Sequence, residues 1–145
     1  MPYTVTTEKN TSLVRAEGTN MKDVFVEGAR GALSIVYDID HINADDSIEV
    51  VVLASNISAL FQGWIQELFD RASLYEVAII DTEVHAIQKI NKTDILLTAT
   101  AWTASQKNAK KYGTGTRFRE LKKSSSTCRQ KGGAWQCEIT ASTTS

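Results

Sequence analysis

The residues best able to do chemistry in this chain lie in two blocks of opposite charge. In Asp38-Ile39-Asp40-His41, followed by Asp45 and Asp46, four carboxylates and one of the two histidines fall within nine residues. Clustered carboxylates can hold a hard divalent cation, calcium or similar, through oxygen ligands. The block lacks the glycine and the regular acidic spacing of a calcium loop, so from spacing alone a solvated acidic turn is the simpler account. A hydrolase built on Asp38, Asp40 and His41 would have no activated nucleophile to work with. The second histidine, His85, lies between Val84 and Ala86 in a strand-like run, a setting for a structural residue.

The second block is basic. From Met1 to Gln106 the chain has seven basic and fifteen acidic residues, whereas Lys107 to Lys131 carries nine basic residues and a single acidic one, Glu120. Within it, KNAKKYGTGTRFRELKK interleaves Tyr112 and Phe118 with the cations. If Arg117–Lys123 is a strand, Arg117, Arg119 and Lys123 share one face, with Lys122 beside them. Such patches bind phosphate backbones or acidic protein surfaces with little discrimination. An edge strand protected by charge is the ordinary alternative. The concentration of cations favours an anionic partner, RNA or an acidic protein. No glycine-rich phosphate loop, HExxH or G-x-S-x-G motif is present, so the usual nucleotide and nucleophile chemistries have no anchor.

The two cysteines, Cys128 and Cys137, flank Gly132-Gly133, whose glycines suit the positive φ angles of a two-residue hairpin turn. Counting outward from that turn sets residue 131 against 134 and therefore 128 against 137. The pair would sit at a closely spaced, non-hydrogen-bonded site. That separation suits a disulfide, and it equally suits two reduced thiols packed side by side, the norm in a mesophile's cytosol. Two cysteines alone fall short of the four ligands of structural zinc.

The elements that must position these groups are legible as periodicities. From an N-cap at Asn20, Met21, Val24, Phe25, Gly28, Ala29, Ala32, Ile35 and Val36 trace one face of a helix ending near Tyr37 or Asp38. Ser55 or Asn56 caps a second, in which Ile57, Leu60, Phe61, Trp64, Ile65, Leu68 and Phe69 form an apolar stripe. That stripe makes Trp64 a core residue. Strands are expected over Ser12–Glu17, Ser47–Ala54, Val77–Gln88, Asp94–Trp102, Thr116–Ser126 and Ala134–Ala141, with a hairpin at Asn91-Lys92. The fold class is α+β, a two-layer sandwich with two helices on one face of a mixed, largely antiparallel sheet. With 145 residues, 42% of them hydrophobic and 23% charged, the chain reads as one domain spanning residues 1–145. No apolar run reaches the roughly 18 residues needed to cross a bilayer. The opening MPYTVTTEKN has neither a basic start nor an apolar stretch, so a cytoplasmic location with no membrane partner is expected.

Taken together these segments resemble the archease family over nearly the whole chain. Asn20–Asp38 resembles its first helix, with Asp38 on the family's aspartate, and Ser55–Phe69 resembles its second. Ala101-Trp102 matches a strand ending Ala-Trp-Gly, Thr116-Arg117-Phe118-Arg119 falls on Thr-Glu-Ile-Lys, and Gly132-Gly133-Ala134-Trp135 resembles the closing hairpin. The resemblance implies an accessory protein, not an enzyme, that assists an RtcB-type, GTP-dependent RNA ligase in tRNA splicing through a metal site of acidic residues. On that reading Asp38, with Glu8 and Asp40, would form a weakened cation site, and the charge concentration noted above would turn Arg117, Arg119, Lys122 and Lys123 toward the ligase or RNA. Two family carboxylates are replaced here by Thr11 and Ser142, and neutral hydroxyls are poor ligands for a divalent cation. Arg117 reverses the charge of the family glutamate. A metal-free, chaperone-like binding module is the other reading.

Overall fold

The computed structural model describes residues 2–144. Helix α1 spans Met21–Ser34, and the Asn20 Oδ1 accepts from the Asp23 amide at 2.9 Å, the expected cap. It stops short of Tyr37 because tertiary bonds take over its last carbonyls. The Thr114 amide donates to the Val36 carbonyl (2.9 Å) and its hydroxyl to that of Ile35, while the Asp38 amide donates to Tyr112 (2.8 Å). Helix α2 runs over Ile57–Tyr75, capped by Asn56, and continues beyond the apolar stripe that ends at Phe69. An Arg71–Glu67 ion pair of 2.7 Å supports the extra turns, and Glu76 ends them in the left-handed conformation, φ 55°.

The strands are β1 (Tyr3–Glu8), β2 (Thr11–Gly18), β3 (Asp46–Ala54), β4 (Val77–Lys89), β5 (Ile95–Ser105), β6 (Arg117–Leu121), β7 (Thr127–Lys131) and β8 (Ala134–Thr144). A third, short helix, α3, spans Gln106–Ala109. The α+β class stands, but the expected single sheet is two, with every pairing between named strands antiparallel. One sheet runs β1-β2-β8-β6, with β7 on the remaining length of β8, and the other runs β3-β5-β4. Strand β1 was not anticipated; it folds back on β2 through Lys9, which takes a positive φ of 55°. The expected strand over Thr116–Ser126 also divides. Ser124, φ 56°, turns the chain between β6 and β7, and a bulge interrupts β6 between Phe118 and Glu120. Lys122 and Lys123 consequently lie in the turn and Arg119 in the bulge, so the expected common strand face of Arg117, Arg119 and Lys123 does not form. At the β4–β5 hairpin the Asn91 Oδ1 accepts from the amides of Thr93 and Asp94, both at 2.8 Å.

Both helices touch strands of both sheets, α1 chiefly β2 and β4, α2 chiefly β3 and β7. The core closes around Trp64, Phe25, Phe61, Leu60, Ile65 and Leu68, all without solvent exposure. Gly28 is required where the helices cross. A Cβ there would stand 2.4 Å from the Phe61 ring, which itself meets Phe25 edge to face at 5.2 Å. No helix of the described residues is long and apolar enough to cross a membrane.

The β7–β8 hairpin has the anticipated register, with Gly132 and Gly133 at φ 58° and 84° and Cys128 opposite Cys137. Their Cα atoms stand 4.1 Å apart and the sulfurs are joined as a disulfide. Replacing both cysteines by serine is expected to lower the unfolding free energy by on the order of 2–3 kcal/mol, the loop-closure entropy of so short a ring. Urea denaturation checks this; equal midpoints with and without reductant would show that the bridge does not form in solution.

Candidate functional site

The acidic block is tied down by partners of its own. Asp38 Oδ2 takes the His41 Nδ1 at 2.8 Å within a short 3-10 turn, Ile39–His41. Asp40 meets Arg30 of α1 at 2.9 Å, and the same guanidinium reaches Asp81 of β4 at 3.2 Å. Asp45 accepts from the Ser105 amide and from Asn108 Nδ2, so it holds the start of α3 against β3. Glu8 lies elsewhere, at the end of β1. Asp38, Glu8 and Asp40 are thus not brought together. Among the described residues no three His, Cys, Asp or Glu side chains converge as a metal site would require. These residues do not fit a resident divalent cation.

The Asp38 hydrogen bond, with the carboxylate's charge, raises the exposed His41 imidazole above its ordinary pKa. The sign follows from linkage. The folded state favours the proton, so the contribution is complete below the unfolded imidazole's pKa and is lost as pH rises through the folded one. An NMR titration should place His41 above an ordinary histidine, and Asp38→Asn should bring it back down. An unmoved midpoint in that variant would refute the assignment.

Strand register brings Thr11 and Ser142 side by side. Glu8 pairs with Thr11, Thr11 with Ser142 and Ser142 with Glu120, one row across the outer face of the larger sheet. The hydroxyls occupy the middle of the row and the glutamates its ends. Three strand spacings separate those ends, about 14 Å of backbone. Glu120 was visible in the sequence only as the odd acid in a basic block; pairing β6 with β8 was the missing information.

The basic block is the electrostatic opposite. Lys107 sits on α3, Lys110 and Lys111 on the 3-10 turn that follows, Arg117 and Arg119 on β6, Lys122 and Lys123 in the turn, Arg129 and Lys131 on β7. Among the described residues none of these nine comes within 4.0 Å of a carboxylate, whereas Arg15, Arg30 and Arg71 elsewhere are all ion-paired. The structure holds Arg117, Arg119, Lys122 and Lys123 exposed along one broken edge. Lys111 Nζ lies 5.2 Å from the centre of the Tyr112 ring, which stacks on His41 at 6.3 Å. Two open cavities follow this surface. One of about 360 Å³ is lined by His41, Lys107, Lys111 and Tyr112, and one of about 440 Å³ by Lys110, Thr116 and Arg117.

Compared with known families, residues 12–140 match the model described as the Archease protein family (MTH1598/TM1083). The chain belongs to the archease family. Solved structures agree on the fold. The solution structure of Methanobacterium thermoautotrophicum protein 1598 superposes with a TM-score of 0.73 at 14% identity, covering 97% of this chain and 98% of that one. The crystal structure of an archease and possible chaperone from Thermotoga maritima gives 0.55 at 13% identity, covering 90% and 88%. Comparison with curated proteins finds no match. This archease has the family's fold, its Asp38–Asp45 block is engaged by protein partners, and its basic block carries no ion pair among the described residues.

Proposed function

We propose that this archease is a non-catalytic accessory protein that assists an RtcB-type RNA ligase in tRNA splicing, in the cytoplasm, and docks on it through the basic edge. The observation that carries the reading is the set of nine cations between Lys107 and Lys131, none of which is ion-paired among the described residues. Cations left unpaired on one edge present a field that an anionic partner satisfies. No cation of its own is invoked, since Asp38 and Asp40 already hold protein partners and Thr11 and Ser142 are hydroxyls.

The deciding experiment is ligase guanylylation with GTP, with and without this chain. Stimulation at a stoichiometric ratio is expected; none at that ratio would exclude the helper role. Titration calorimetry with calcium, manganese and zinc should give heatless injections, and saturable heat would restore a metal site. A chaperone-like module that binds protein without acting on the ligase is the second reading. It is favoured by the loss of the family's carboxylates and by the description of the Thermotoga maritima archease as a possible chaperone.

A further inference from the structure

Where the two sheets part, the ends of α1 and α2 leave a crevice of about 330 Å³ between the start of β4 and β6. Leu33, Val36, Phe69, Val77 and Phe118 give it apolar walls, and the Phe69 and Phe118 rings stack face to face at 3.8 Å. Arg119, displaced by the bulge in β6, lines it with no carboxylate within 4.0 Å among the described residues. Asp70 faces the same space but is engaged by Gln66 Nε2 at 2.9 Å. The crevice therefore has a polarity: an anion is drawn to one side and repelled from the other.

It is also continuous with the cationic edge. Val36, Tyr37 and Gln106 line both this crevice and the neighbouring cavity of Lys110 and Arg117, and Tyr37 Oη donates to Gln106 Oε1 at 3.2 Å in the shared wall. A slot with apolar walls and a polar mouth that opens onto cations has the form of an interface hot spot, where one bulky side chain is desolvated inside a polar, charged rim. A nucleic acid would use the cations without filling the crevice, because its backbone contacts are polar and the Phe69 and Phe118 rings lie face to face on each other, not open to a base.

We propose that this crevice anchors a bulky apolar side chain within an acidic segment of a partner protein, with an acidic neighbour of that side chain on Arg119. The proposal rests on the anionic-partner reading above and names where and how such a partner is gripped. Ala72, which also lines the crevice, gives a variant that fills it, Ala72→Leu, and Arg119→Glu reverses its rim.

The test is an amide NMR titration of the full chain with the peptides Ac-Asp-Glu-Phe-Glu-Asp-NH2 and Ac-Asp-Glu-Ala-Glu-Asp-NH2 and with a five-residue oligouridylate. The Phe peptide should shift Val77, Phe118 and Arg119 and bind about tenfold more tightly than the Ala peptide, the worth of a partly buried aromatic anchor. Ala72→Leu should remove most of that difference and Arg119→Glu should weaken the Phe peptide about tenfold, each with unchanged melting; Arg119 is exposed, so its variant serves even if the filled crevice fails to fold. Equal binding of the two peptides with shifts confined to lysines would overturn the proposal, as would tighter occupation of the same amides by the oligouridylate. No ligase is present in this titration. A chain that takes the Phe peptide without stimulating the ligase keeps the crevice and loses the ligase as partner, and the opposite pattern overturns the crevice alone.

Discussion

Replacing Trp64 by alanine is expected to lower the unfolding free energy by about 3–5 kcal/mol, the usual cost of emptying a fully buried aromatic site. The indole has no solvent exposure and its Nε1–H donates to the Phe25 carbonyl at 2.9 Å, so one side chain joins α2 to α1. Its loss removes both the packing and the bond at the place where Gly28 lets the helices approach. A domain of this size has roughly 5–15 kcal/mol in hand, so the variant should lose a large part of its margin. Trp64→Phe, which keeps a ring and gives up the hydrogen bond, should cost about 1–2 kcal/mol. Urea unfolding followed by far-ultraviolet circular dichroism measures both. A loss below 1 kcal/mol for the alanine variant would mean that the helix junction does not depend on Trp64.

The second large effect concerns the basic edge. Substituting glutamate at Arg117, Lys122 and Lys123 should weaken ligase stimulation by well over tenfold while shifting the melting temperature little. All three side chains are exposed and have no ion pair among the described residues, so the fold has little to lose from them. Electrostatic docking also carries a salt signature, because counter-ions screen exposed charges beyond about 8–10 Å at physiological ionic strength. Wild-type stimulation should fall between 50 and 200 mM salt, and the triple variant should show a flatter dependence. Full stimulation by the variant, or a salt-independent wild type, would remove the basic edge from the mechanism.

What could be read from the sequence was whatever short-range periodicity encodes. The stripes from Met21 and from Ile57 placed both helices and identified Trp64 as core, and the glycine pair set Cys128 against Cys137 because a two-residue turn leaves no freedom of register. The partnership of distant strands was not legible. Nothing local in Thr11 announces Ser142 as its neighbour, and the division into two sheets depends on which edges α1 and α2 cover. Strand β1, with its threonines and Val5, carries strand propensity, but only its pairing with β2 fixes it as a strand. The acidic block was visible as a composition, yet whether its carboxylates converge depended on Arg30 reaching Asp40 and Asp81 from another element. The apolar crevice, assembled from the ends of several elements, had no sequence signature at all.

The topology also orders events during synthesis. Strands β3, β4 and β5 with helix α2 come from one stretch of chain, Asp46–Ser105, so the smaller sheet has all its parts once that stretch has left the ribosome. The larger sheet does not. Its central strand β8 is the last to be made, yet it pairs with β2, β6 and β7. Until it emerges, the far edge of β2 is unpaired and the helices lack Ile139 and Ala141 on that side, an open edge of the kind that pairs with other chains. Delayed or truncated translation near β8 would therefore leave a half-built protein with one finished sheet and one exposed edge.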